Sequence, residues 1–79
     1  MEKLSRNTRV SIITKILIEN PNKIIGLNRF SELLNAAKST ISEDIVIVRE
    51  ALEKVSIGKV ETIAVAAGGI KFIPIMGEK

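Results

Sequence analysis

The apolar positions fall into runs with different periods. Val10, Ile13, Ile16 and Leu17 recur at helical spacing from about Thr8 to Glu19. Ser5 or Asn7 is placed to cap that helix, and Pro21 stops it, because the residue before a proline avoids the α region. Ile24 to Leu27, I-I-G-L, is a short β-prone run broken by Gly26. Asn28 suits the N-cap of a short second helix, Arg29 to about Asn35, with Phe30, Leu33 and Leu34 as its apolar side. Only A-A-K separates it from a third, longest helix. There Ile41, Ile45, Val48, Leu52 and Val55 stand at i, i+4, i+7, i+11 and i+14, one continuous apolar seam.

After Gly58 the period shortens. Lys59 to Val65 is rich in β-branched residues, A-A-G-G follows, and Ile70 to Ile75 reads I-K-F-I-P-I. Two strand-like runs around Gly68 and Gly69 predict a hairpin, with Pro74 confined to a strand end. The short gap between the second and third helices fits a helix-turn-helix. A hairpin directly after the third helix is the wing of a winged-helix domain. The predicted fold is therefore α/β, mostly α: a winged helix-turn-helix over residues 1–76, with three helices, a small antiparallel β-sheet and a β-hairpin wing.

Composition narrows the chemistry. A chain of 79 residues makes one small domain, and such a domain buries roughly 60% of its unfolded surface, so it needs a dense core or a partner. Phe30 and Phe72 are the only aromatics, which makes the core aliphatic and nearly excludes aromatic stacking on RNA bases. Without Cys or His there is no Cys/His zinc site and no disulfide framework, and the absence of Cys fits a reducing cytoplasm. No catalytic set is visible, so an enzyme is not expected. Met1 to Arg9 has no apolar core of a signal peptide, and no run approaches the roughly 18 apolar residues of a membrane span.

The net charge is +3, unevenly spread: residues 1–40 hold seven basic and three acidic side chains, residues 41–79 five and six. A basic first half points to a polyanionic partner, although +3 alone also fits ordinary solubility.

The stretch K-S-T-I-S-E-D-I, Lys38 to Ile45, opens the longest helix and has two readings. In one, Ser39 is the N-cap and the acids Glu43 and Asp44 complement the helix N-terminus. In the other, the N-terminal end of a recognition helix enters the major groove. Ser39, Thr40, Ser42 and Glu43 are then exposed, because Ile41 and Ile45 point into the core. Hydroxyls can bond bases or phosphates, and Glu can accept from a cytosine amino group. Lys38, Arg6 and Arg9 are candidates for flanking phosphates, or plain surface. Glu43 and Asp44 repel phosphates; Asp44 would instead pair with a basic residue such as Arg29 or Lys38. Gly68 and Gly69 let the wing backbone approach DNA, or simply make a tight turn at positive φ, and Lys71 adds charge there.

The run Ala37 to Ile45, A-K-S-T-I-S-E-D-I, resembles the start of the recognition helix in bacterial winged-helix repressors. Ala66 to Pro74, A-A-G-G-I-K-F-I-P, with Glu19 to Leu27, E-N-P-N-K-I-I-G-L, narrows this to the N-terminal domain of the Gram-positive purine operon repressor family. The resemblance runs from Arg6 to about Met76. It implies a cytoplasmic transcriptional repressor domain that binds a double-stranded DNA operator controlling purine biosynthesis genes, as a homodimer. It also implies a second, phosphoribosyltransferase-like domain sensing phosphoribosyl pyrophosphate, with residues 77–79 as the start of the linker and no cofactor in the 79 residues themselves. The alternative is a winged helix used for protein–protein contact without DNA, through Ile12, Ile18, Val46 and Ile47, which lie partly off the apolar seams.

Overall fold

The computed structural model describes residues 4–63 and 68–75. Helix α1 spans Arg6–Glu19, strand β1 Ile24–Gly26, α2 Leu27–Leu34, α3 Lys38–Lys54, β2 Gly58–Ile63 and β3 Gly69–Pro74. The sheet is antiparallel in the order β1-β3-β2, so the hairpin strand β3 lies in the middle. This is the expected winged helix-turn-helix. The tip of the wing, residues 64–67, and the expected linker at 77–79 lie outside the described residues.

Each boundary has a local cause. Ser5 settles the first cap: its Oγ accepts the Thr8 N–H at 3.2 Å, and α1 starts at Arg6 rather than Thr8. Asn20 ends the helix, its Nδ2 donating to the Ile16 carbonyl at 2.8 Å. The next turn is tied to the sheet by the Asn22 N–H, which donates to the Phe72 carbonyl at 2.8 Å.

Helix α2 begins two residues earlier than its sequence suggests, so Asn28 lies inside it and caps nothing. Its N-cap is Gly26, and the first helical N–H, that of Leu27, donates to the Gly68 carbonyl at 3.0 Å. The wing backbone thus satisfies a donor that a side-chain cap would otherwise have to reach. Phe30 and Leu34 are buried, but Leu33 is 58% exposed, about 100° round the helix from Leu34.

Helix α3 likewise starts before Ser39, with Ala37 as an uncapped N-cap. The reason lies in the turn: α2 ends at Asn35 in the left-handed region, φ +53°. The Ser31 hydroxyl donates to the Ala36 carbonyl at 2.5 Å. That clamp leaves Ala37 extended and commits Ser39 to the second helical position. At the other end Val55 is 61% exposed, since the helix stops at Lys54 and the chain turns through Ser56 at φ +60°.

The core gathers Ile13 and Leu17 from α1, Phe30 and Leu34 from α2, and Ile41, Ile45, Val48 and Leu52 from α3. The sheet contributes Ile25, Val60, Ile70 and Phe72. Ile12 also packs on this core, so it is not a free surface. No helix among the described residues is long and apolar enough to cross a membrane.

Gly58 is fixed by space rather than by turn geometry, since an added Cβ would stand 2.5 Å from Phe72 Cε1 and 2.7 Å from the Ile73 carbonyl oxygen. Gly58→Ala is expected to cost about 1–3 kcal/mol by overpacking. Ile41→Ala, at a fully buried position, is expected to cost about 2–5 kcal/mol by leaving a cavity. Urea melts should show both as lower midpoints; an unchanged midpoint for Gly58→Ala would mean that the strand shifts freely to make room.

Candidate nucleic-acid interface

Helix α3 buries one charged side chain. Asp44 is 1% exposed, between core residues Ile41, Ile45 and Val48 on the same face. Its partner is Arg9, not Arg29 or Lys38. The Arg9 Nε donates to Asp44 Oδ2 at 2.5 Å and its Nη2 to Oδ1 at 3.3 Å, a two-pronged grip. Nη1 donates to the Leu4 carbonyl at 2.8 Å. The hydrogen bond to Asp44 holds the guanidinium above its ordinary range, against the lowering effect of desolvation, so Arg9 is charged at every pH the fold survives.

The pair corrects two expectations. Arg9 is committed to Asp44 and Leu4 and is not a spare cation for phosphate. Asp44 is a structural anion rather than a helix-start residue, and its partner is Arg9. Joining the fourth residue of α1 to the seventh of α3 brings the N-terminal ends of both helices together. Arg6 and Lys38, both exposed, then stand within about two helical turns of the pair.

The other expected residues divide. Ser39, Ser42 and Glu43 are exposed on α3. Thr40 is half-buried and lines a depression with Leu4, Arg9, Ser31 and Ala36, so it faces α1 and the turn rather than open solvent. Glu43 is the sixth residue of α3, beyond the first turn that a helix-start role requires. Gly68 has φ +83°, and an added Cβ would stand 3.2 Å from Leu27 Cδ1, so it needs to be glycine for the fold itself. Gly69 is buried in β3, paired with Gly26 and Ile63. Lys71 alternates with buried Ile70 and Phe72 and therefore lies on the sheet face turned away from the helices, opposite Glu61. An oppositely charged neighbour across the ladder suits that position. The wing contact assigned to Lys71 loses its geometric basis.

Arg49 and Thr62, which the sequence pattern does not single out, and Val46, an off-seam apolar residue, lie on the wing side of α3 instead. Val46, Arg49 and Thr62 line a groove between α3 and the wing, with Leu27, Ser42 and Gly68. Arg29, at the α2 N-terminus, lines a neighbouring depression with Asn20 and Lys23. Arg49 was legible as the residue one helical step beyond buried Val48, and Val46 as an apolar residue off the seam.

A three-helix domain with a helix-turn-helix, a central-strand wing and a hydroxyl-rich helix start is a winged-helix domain of the nucleic-acid-binding type. The chain belongs to the bacterial purine repressor N-terminal family, whose pattern it matches over residues 5–74. It is 47% identical over 72 residues to a probable purine biosynthesis transcriptional regulator of Streptococcus pneumoniae, covering 91% of this chain and 26% of the relative. It is 42% identical over 74 residues to a purine biosynthesis transcriptional repressor of Bacillus subtilis, covering 94% and 26%. It is 37% identical over 76 residues to a purine biosynthesis transcriptional activator of Lactococcus lactis, covering 96% and 28%. The chain thus spans about a quarter of the length of the curated relatives it matches.

Removing one member of a buried pair is costly, whereas replacing both by apolar groups is often neutral. Arg9→Met should lower the melting temperature by on the order of 10 °C. Arg9→Met with Asp44→Leu should recover most of it. If the double variant also keeps wild-type DNA affinity and salt response, Arg9 is structural only; a shallower response would restore it to the interface.

Proposed function

We propose that this chain is the operator-binding domain of a transcriptional regulator of purine biosynthesis genes, acting as a homodimer on double-stranded DNA in the cytoplasm. The observation that carries the reading is helix α3, held by a clamped three-residue turn with Ser39 and Ser42 outward and Lys38 beside them, in a chain of this family. Small hydroxyl residues let the helix come close to base edges while the basic ends take phosphates. Relatives named repressor and activator share this domain. On this reading the domain's part is recognition of DNA, and the expected repression depends on where the operator lies. The effector phosphoribosyl pyrophosphate is assigned to a further, phosphoribosyltransferase-like domain, joined through residues 77–79, and not to residues 1–76. No catalytic role is assigned to this domain.

The protein-contact alternative has one observation of its own. Ile24 pairs with Lys71 on the outer sheet face, Ile57 and Ile75 are hydrogen-bonded to each other just past the Gly58–Pro74 pair, and each of the three isoleucines is at least 44% exposed. That face lies away from α3, so a protein contact there is compatible with DNA on α3.

Fluorescence anisotropy with duplexes from purine gene control regions, across a salt series, tests the reading. Contact by three or four basic groups per subunit should give a log–log slope of about −3 to −4 per subunit. Ser39→Ala and Ser42→Ala should each weaken the specific duplex by about 1 kcal/mol and leave a scrambled duplex unchanged. A flat salt response would reject DNA binding in favour of the protein-contact module.

A further inference from the structure

The outward side of α3 is not uniform in charge. Lys38, Ser42 and Arg49 lie at i, i+4 and i+11, and Ser39 and Val46 at i and i+7. At 100° per residue these five fall in a stripe about 100° wide. Exposed Glu43 and Glu50 lie just past its Ser39 border, by about 40° and 20° round the helix, and Glu53 falls within its angular range. Glu53 stands one turn beyond Arg49, toward the C-terminal end.

The stripe borders the groove between α3 and the wing, whose lining contains Arg49 and no carboxylate. The groove is a fixed feature. The Leu27 N–H to Gly68 carbonyl bond ties the start of α2 to the wing, and Gly68 leaves room for Leu27. Arg49 is half-buried, and among the described residues it makes no ion pair or side-chain hydrogen bond. Arg9, the other half-buried arginine, has three such bonds. Lys38 and Arg49 are eleven residues apart, about 16 Å along the helix. That matches the span needed to reach the phosphates on either side of a major groove about 12 Å wide. Between them stand only Ser39, Ser42 and Val46, and Val46 is 41% exposed.

We infer that α3 enters the major groove by its wing-side edge, with Lys38 and Arg49 on opposite phosphate walls and Val46 against a thymine methyl group. Glu43 and Glu50 then lie about 90° and 70° round the helix from the middle of that edge. This rests on the DNA-binding reading above and names the edge and the residues that carry it. Arg49 is the phosphate contact at the far end, and Val46 supplies apolar discrimination that hydroxyls cannot.

The test uses the whole chain, with thermal melts to confirm folding and anisotropy on purine control-region duplexes. Arg49→Ala should reduce the salt slope by about 1 and weaken specific and scrambled duplexes alike, by on the order of three- to tenfold at physiological salt. Arg49→Lys should keep the slope. Duplexes with uracil in place of thymine lack the methyl group. Wild type should bind them several-fold more weakly, and Val46→Ala should bind both forms equally. Wild type binding with a steep slope, while Arg49→Ala keeps that slope, overturns the inference and leaves DNA binding intact. So does equal wild-type affinity for thymine and uracil duplexes. A flat salt response of the wild type overturns the function itself.

Discussion

The carboxylate of Asp44 is almost wholly removed from water, 1% exposed, and a buried anion without a cation is unstable by far more than one weak contact can offset. Arg9 answers it with two donors. The pair need not make the domain more stable than an apolar substitute would. Its effect is geometric: two planar groups joined at two points fix the rotation of α3 about its own axis relative to α1. Turning α3 by one residue would carry Asp44 out of reach and bring Glu43 toward the core. The orientation of the outward stripe, and with it every assignment at the interface, depends on that lock. This is the specificity role that a buried ion pair can have.

A second constraint comes from the short connections. The turn between α2 and α3 is closed by Ser31 onto Ala36 and by the left-handed Asn35. The wing reaches back to α2 through the Gly68 carbonyl. Helix, turn and wing are therefore held at three separate points around α3. A recognition element on such a frame presents its side chains with little freedom to lose on binding, which is the condition for small residues such as serine to discriminate at all.

Much of this was legible in the sequence. Periodicity alone places Ile41, Ile45, Val48 and Leu52 in one seam, and β-branched runs place the hairpin. What eluded it were matters of one or two residues: the early starts of α2 and α3, the exposure of Leu33 and Val55, the inward turn of Thr40. Ser39 and Asn28 are good caps in isolation, but the tight turn and the wing backbone determine where each helix begins, and tertiary hydrogen bonds outrank local preference. The Arg9–Asp44 pair had a signal that went unused. Arg9 is four residues before Ile13 and eight before Leu17, and Asp44 sits between Ile41 and Ile45. Opposite charges on the buried seams of two helices have little choice but to meet. Lys71 shows the reverse: its alternation with Ile70 and Phe72 marks it as facing away from the core, but only the sheet order shows that this is also away from α3.

Net charge is a poor guide to the strength of such an interface. Of the basic side chains in the first half of the chain, Arg9 is neutralised inside the protein, and Lys23 and Arg29 belong to a depression beside α2. Lys71 lies opposite Glu61 on the far sheet face. Among the described residues, the cations that frame α3 reduce to Arg6, Lys38 and Arg49. Phosphate contacts supply most of the sequence-independent affinity, so on the proposed reading three such cations among the described residues would make a single copy a weak binder at physiological salt. Ser39, Ser42 and Val46 add discrimination but few contacts. A second copy on an adjacent half-site doubles both terms without new chemistry, and joining the two sites makes the second contact intramolecular. On the proposed reading, a domain with this sparse a charge pattern binds DNA reversibly, and a second copy on the adjacent half-site is what would turn contact into occupancy of an operator.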